Sequence, residues 1–465
     1  MIRHSGRKSV RAQLSALESQ ESLPFKDVLT LEEINETVSR DSPDFRDRVF
    51  SPLTTILAFI SQALSPDGSC RKAVAKVNSD RIASGIAPAS PNTSAYVQAR
   101  ERLSESSIRS LACSAAAKLE TQIPEGWLWK GRHVKVVDGS GLTMADTPDN
   151  QAAYPQQAMQ KPGCGFPTLR VVAVMSLVTG AILDFAMAPY KGKKTGECTL
   201  FRTLLECFSP RETVLGDGYY GTFFVFVLLQ QIAVDGVFKI HGSRNVDFKR
   251  GRRLGQRDHV VKWERPPQKP VWIDRDDYDA LPSNISILEV EIRVERPGFR
   301  TKTFVIVTTF LDSHEVTKDE LAALFRRRWY GELYLRNIKT TMGMDHLSCK
   351  TPAMVRKEVW IHILTYNLIC RLVSQAAYVS DVMPCQISFK GAIDTLDEYA
   401  KLWMPVAYRD ANTIYALLLQ AIGKMRVANR PDRIEPRAIK RRRKQAYDLL
   451  NKPRAQARQE HMQHR

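Results

Sequence analysis

The chain has 465 residues, 43% hydrophobic and 25% charged, a balance that excludes a disordered chain and leaves room for two or three domains with sizeable cores. Its formal net charge of +18 favours a polyanion as partner, most simply nucleic acid, although a ribosome-associated or merely basic protein has the same surplus. Eight scattered cysteines form no CxxC pair, the basic start lacks a signal-peptide core, and the apolar windows near Val171–Ala188 and Phe223–Val234 are interrupted or too short to span a bilayer. A cysteine-based zinc site, a disulfide framework and a membrane segment are thereby set aside, and a reducing, cytoplasmic compartment fits best.

Residues 1 to about 125 read as mostly helical, because Asp47–Leu64 and Ala95–Leu119 repeat apolar residues at i, i+3 and i+4 with Pro and Gly between them. Small helices with polar and basic faces suit a DNA-docking module and a plain helical cap equally well. From His133 the character changes. Val134–Val137 is a β-rich run that ends at Asp138-Gly139-Ser140-Gly141, and Leu169–Val178 and Ala181–Met187 flank the turn Thr179-Gly180. Then follow a helix over Glu197–Phe208, a strand Thr213–Leu215, the turn Gly216-Asp217-Gly218, a helix Phe223–Val234 and a strand Val237–Ile240. Three strands, then strands alternating with helices, predict a mixed sheet covered by helices.

Residues 242 to about 312 interrupt that rhythm. Lys249-Arg250-Gly251-Arg252-Arg253 is a basic loop, and the β-rich runs Ile285–Val294 and Thr301–Thr309 are joined by Pro297-Gly298 as a hairpin. Helical patterns resume over Thr317–Thr341 and Ala353–Ala377. The tail from Ala421 to Arg465 is dense in bases, including Lys440-Arg441-Arg442-Arg443-Lys444, a run that is either solvated or a non-specific DNA contact.

The Thr317–Thr341 helix carries the first chemical signal. Phe325, Arg328, Glu332 and Lys339 are spaced by three, four and seven residues and share one face at about 3.6 residues per turn. An acid among bases can be an i,i+4 surface pair, or a metal-binding carboxylate flanked by phosphate grips. Trp329, adjacent to that face, reads as core. Asp138 and Asp217 each follow a β run, so their side chains are expected to emerge at strand ends, though an Asp that caps its own turn has the same context. Together the three acids form a strand–strand–helix set suited to phosphodiester chemistry. Two Mg²⁺ ions about 3.5–4 Å apart can stabilise the attacking and leaving oxygens of an in-line displacement. Mg²⁺ takes oxygen ligands and keeps sites for water and substrate phosphate. Arg328 fits a phosphate as a bidentate fork and Lys339 as a point charge. Neither a Walker GxxxxGK[ST] sequence nor GxGxxG is present.

These residues resemble the DDE transposases of the IS4 insertion-sequence family. Phe325, Arg328, Glu332 and Lys339 fall on its Y-x2-R-x3-E-x6-K signature, Asp138-Gly139-Ser140 through Asp146-Thr147-Pro148-Asp149-Asn150 resembles its first-Asp box, and Leu215-Gly216-Asp217-Gly218-Tyr219-Tyr220 its second. The resemblance covers most of the chain. It implies an α/β (α+β) fold: an RNase H-like mixed sheet flanked by helices, with a β-rich insertion and a helical N-terminal domain. It also implies Asp138, Asp217 and Glu332 as catalytic metal ligands, Phe325, Arg328 and Lys339 at the DNA phosphates, and two Mg²⁺ ions that Mn²⁺ can replace. The reaction implied is cleavage at transposon ends and strand transfer into target DNA. Its partners would be double-stranded DNA (terminal inverted repeats and target), bound by a homodimer in the cytoplasm at the nucleoid. Phe325 in place of Tyr and Gly218 in place of a common Arg depart from the pattern, and favour an alternative, an impaired or domesticated DNA-binding protein of the same fold.

The expected organisation is a helical region with DNA-end binding over 1–125, and the first part of the catalytic core over 126–241. The β-rich insertion spans 242–312, the second part of the core with the Glu helix 313–420, and the basic tail 421–465.

Overall fold

The computed structural model describes residues 29–41, 48–294, 302–403, 408–428 and 451–463. The hairpin turn at Pro297-Gly298 and the basic run 440–444 lie outside the described residues. Among the described residues five α-helices precede the first strand: α1 (Leu31–Asp41), α2 (Pro52–Leu64), α3 (Cys70–Ala83), α4 (Ser94–Arg102) and α5 (Glu105–Thr121). In the run read over Asp47–Leu64, whose first residue lies outside the described residues, α2 starts at Pro52, where Ser51 accepts from the Thr54 amide and Pro52 takes the first turn. The single run read over Ala95–Leu119 is two helices. Ser104 leaves the ladder and caps α5 by accepting from the Ser107 amide.

The strands are β1 (Val134–Met144), β2 (Thr168–Ser176), β3 (Ile182–Pro189), β4 (Thr213–Gly216), β5 (Asp235–Lys239), β6 (Arg252–Gly255), β7 (Asp258–Glu264), β8 (Asn284–Val294), β9 (Lys302–Thr308) and β10 (His346–Leu347). The sheet order is β3-β2-β1-β4-β5-β9-β8-β7-β6, with β10 beside β1. β4 and β5 run parallel, Leu215 opposite Val237, and are joined through helix α8 (Phe223–Gln231). β9 is antiparallel to β5 and to β8. This is the mixed, helix-flanked sheet of an RNase H-like fold.

Two expectations are corrected here. β1 does not end at Asp138 but continues for six residues to Met144, so Asp138 lies mid-strand. Gly139 and Gly141 read as turn residues, yet neither takes the left-handed backbone, and the fully buried Leu142 and Met144 anchor the far half of the strand. The basic stretch read as a loop also runs into β6, which pairs with β7. Its exposed arginines hide a strand from any hydrophobic pattern. Because β9 bonds to β5, the β-rich segment continues the core sheet.

By contacts the chain divides into two compact units whose boundaries fall inside β1, β2 and β3. The first holds the described residues up to Val136, with Ala173–Phe185 and Trp329–Val427. Its centre is α12 (Pro352–Val379), which packs on α2, α5 and α14 (Tyr408–Lys424). Asn367 on α12 is almost fully buried. It accepts from the Ile182 amide at 2.8 Å and donates to the carbonyls of Ile182 and Ala112 at 2.9 and 3.1 Å, tying β3 to α5. Helix α11 (Trp329–Arg336) lies against β1 at Gly331, where a Cβ would stand 2.6 Å from Val136 Cγ1. Tyr334 on the same helix donates its hydroxyl to the Leu177 carbonyl at 2.9 Å, and its ring fills the space beside Gly180, which is left-handed at φ 76°. Among the described residues no helix is long and apolar enough to cross a membrane.

The second unit holds Val137–Val172, Ala186–Arg328 and the described residues beyond Ala428. Phe226, Phe238 and Trp263 meet edge to face, and Phe201 packs likewise on Tyr220. Beneath the hairpin, buried Glu289 accepts from the Trp263 indole at 2.7 Å and pairs with His259 at 3.0 Å. Replacing Glu289 by alanine leaves two buried polar groups unsatisfied, at about 1–3 kcal/mol each, so thermal unfolding should show a clear loss of stability. Gly331→Ala is expected to cost about 1–3 kcal/mol by overpacking on Val136. A double-mutant cycle with Val136→Ala, which removes the clashing methyl, should return a coupling energy of favourable sign.

Candidate active site

In the second unit, Asp138 projects from β1 and Asp217 from the loop that leaves β4, the sheet neighbour of β1. Both are half-buried. Asp138 accepts from the Gly139 amide at 2.9 Å, and Asp217 accepts from the Tyr219 amide at 2.8 Å, an Asx turn that fixes its side chain at the strand end. Gly216, the last residue of β4, is hemmed in by Tyr220, Phe238 and Val137, each within 3.0 Å of where a Cβ would be. Gly218, which stands where the IS4 pattern commonly has Arg, faces the Ile240 carbonyl. A Cβ there would lie 3.1 Å from that oxygen, so a side chain at 218 needs the neighbouring backbone to give way.

A third acid of this unit was not foreseen from the sequence. Glu197 opens the short helix α7 (Glu197–Arg202). Its carboxylate lies over the backbone of Gly139, where a Cβ would come within 2.5 Å of Cδ and 2.7 Å of both oxygens. The Tyr220 hydroxyl donates to it across 3.5 Å. Burial, and then the charge of Asp217, hold the Glu197 carboxyl above its usual range, while Arg170 opposes the shift. Arg170 is itself fixed over the Tyr190 ring and donates to the Thr195 carbonyl. Tyr220 is wholly buried, and its hydroxyl is held well above its ordinary range by burial first and then by Glu197, Asp138 and Asp217. One buried tyrosine thus feels all three acids. An acidic residue in the first turn of a helix is unremarkable on dipole grounds, so Glu197 carried no signal of its own.

Glu332 belongs to the first unit. It is half-buried on α11, next to Gly331, which lies on Val136. The helix read as continuous over Thr317–Thr341 is segmented. α10 (Lys318–Arg327) begins with a Thr317–Glu320 capping box, a turn at Arg328 separates it from α11, and residues Asn337–Thr341 form a π-helical turn closed by the Met342 amide on the Asn337 carbonyl at 3.0 Å. Lys339 lies inside that turn, so its direction from the helix is not the one that 3.6 residues per turn assigns. Phe325 and Arg328 fall in the second unit. The Phe325 ring is buried against Phe304 at 5.4 Å between centroids, and the Arg328 guanidinium lies 5.8 Å from it. Trp329, read as core, is instead 56% exposed. It is the first residue of α11, where the chain turns after Arg328.

Residues 129–368, just over half of the chain, match the transposase DDE domain family. The chain belongs to that family. It is also 26% identical over 359 residues, 75% of this chain and 76% of the other, to the transposase InsG for insertion sequence element IS4 of Escherichia coli (strain K12). The expected kinship with the IS4 transposases therefore holds, and the protein is a DNA transposase with a DDE domain.

A DDE domain implies dependence on a divalent metal. Among the described residues no three Asp, Glu, His or Cys side chains already close into a ligand cage. Yet Asp138, Asp217 and Glu197 are all half-buried in this unit, and the charge of Asp217 adds to the cost of ionising Glu197, a cost that a hard cation would relieve. Mg²⁺ binds through one or two carboxylates, with water and substrate phosphate completing its shell, so an open carboxylate set fits it.

The raised carboxyl of Glu197 sets a pH dependence. The fold prefers its protonated form, so the stability it contributes is present at low pH and is lost as pH rises through the folded-state value. In EDTA, Glu197→Gln should therefore melt progressively higher than the unaltered transposase as pH rises from about 4 to about 7. Thermal unfolding across that range measures the difference.

Proposed function

We propose that this transposase cuts DNA at the ends of its own mobile element and joins the freed 3′ ends to target DNA. Asp138, Asp217 and Glu332 would be the carboxylates that hold the metal. The observation that carries the reading is that Asp138, on β1, and Asp217, in the loop that leaves the neighbouring β4, both act on one buried tyrosine, Tyr220. Glu332 enters the set on the spaced signature of its helix, Phe325, Arg328, Glu332 and Lys339. Two divalent ions, Mg²⁺ or Mn²⁺ in its place, would stabilise the attacking and leaving oxygens.

The chain's own residues supply the rest. Arg328 grips a DNA phosphate through its fork, and Lys339 meets another as a point charge. Phe325, buried and without a hydroxyl, serves the phosphate indirectly, by backing the Arg328 guanidinium. In hydrolysis a water hydroxyl replaces a 3′ oxygen at phosphorus. In strand transfer the freed 3′ oxygen replaces a target-strand oxygen. Each step exchanges one P–O bond for another and uses no nucleotide cofactor. The +18 charge supports binding to duplex DNA at the terminal repeats and at the target, with one subunit of a homodimer at each end.

The test is a labelled linear duplex carrying the element's flanking repeats, incubated with Mg²⁺, with Mn²⁺ and with EDTA. Nicking at the repeat ends is expected with either ion and none with EDTA. Asp138→Ala, Asp217→Ala and Glu332→Ala should each lower the rate more than about 100-fold while leaving repeat binding in place. Binding without nicking in every lane would favour a protein that holds DNA without cutting it.

A further inference from the structure

Three observations single out Glu197. Its carboxylate occupies the volume that a side chain at 139 would need, directly above the backbone next to Asp138. A glutamate that served its own six-residue helix would stay by that helix, whereas this one reaches across to β1. Finally, its one close polar contact is the Tyr220 hydroxyl at 3.5 Å, and among the described residues no cation comes within ion-pair distance of it. A half-buried carboxylate beside two others, in an ion pair with no described residue and offset only by the more distant charge of Arg170, is poised for a cation or for the water around one.

We propose that Glu197 is a positioning residue of the metal site, a fourth carboxylate that orders the water shell of the ion held by Asp138 and Asp217. This rests on the metal-site reading above. Glycine at 139 is then a requirement of the site and not of a turn, since its backbone angle is open to any residue and its missing Cβ is what admits the Glu197 carboxylate. The Tyr220 hydroxyl, held in the buried core, aims that carboxylate.

Two variants separate the carboxylate from the fold. Glu197→Gln keeps shape and removes charge. Gly139→Ala puts a methyl where the carboxylate lies, and the atoms it meets are the free end of a flexible side chain, which can swing away without disturbing the strands. Mn²⁺ binding to the full-length protein, followed by electron paramagnetic resonance with and without repeat DNA, gives a readout independent of cleavage. Thermal unfolding in EDTA reports on the fold. Glu197→Gln and Gly139→Ala should each weaken Mn²⁺ binding about tenfold or more, the range expected when a partner of a metal's ligand shell is lost, with melting in EDTA unchanged or raised. Asp138→Asn and Asp217→Asn run alongside. If those two lose Mn²⁺ while both Glu197 and Gly139 variants bind it as tightly as the unaltered protein, Glu197 has no part in the site and the metal-site reading stands. If Asp138→Asn and Asp217→Asn also bind Mn²⁺ unchanged, that reading falls and takes the role of Glu197 with it.

Discussion

Like charges crowded on one side of a sheet are the constraint around which this protein is built. Asp138, Asp217 and Glu197 are each half-buried, and Asp217 makes ionisation of Glu197 harder. Left to itself Glu197 would move away or take up a proton. Here each of the three acids is tied to something that does not move. Asp138 rides on a strand buried at both ends, Asp217 is locked in an Asx turn, and Glu197 is wedged over a glycine backbone. The aromatic packing under β4 and β5 keeps Tyr220 in place beneath them. On the proposed reading, the fold holds in advance a charge arrangement that a hard cation would complete, so that little reorganisation would be left for the moment of reaction.

The first unit meets a different need, the orientation of a helix. α11 is fixed by close approach at two glycines. Gly331 lets the helix sit on Val136, and Gly180 gives the Tyr334 ring its place above the Leu177 carbonyl. A helical glycine costs about 1 kcal/mol relative to alanine, so its presence one residue before Glu332 marks where backbone proximity outweighs propensity. Asn367 serves the same unit from the other side, binding β3 and α5 through three hydrogen bonds of one buried side chain.

Much of this was legible in the amino-acid sequence. β-rich runs and the turns between them located β2, β3, β5, β8 and β9 to within a few residues, and the spaced signature with two Asp boxes pointed to the DDE family. What was not legible has physical causes. Gly139 and Gly141 imitate a turn because glycine's permissiveness has the same letter whether it serves a positive φ or a close contact. β6 is short, exposed and arginine-rich, so its pairing with β7 is enforced by the sheet and not by its own composition. Trp329 looked like core by its size alone. Glu197 needed the third dimension, since nothing local distinguishes an acid at the head of a helix from one that reaches a neighbouring strand.

The π-helical turn at Asn337–Thr341 bears on how such signatures should be counted. A turn closed from residue i to i+5 holds one residue more than an α-turn over the same axial advance. The seven positions from Glu332 to Lys339 therefore do not measure two regular helical turns, because the last of them enter a wider coil. A relative with a regular α-helix here would place its base nearest this direction with a different gap. Position along the chain and position around the axis are separate quantities in this segment, and an alignment that tolerates a one-residue gap after the Glu would join chains whose lysines point the same way.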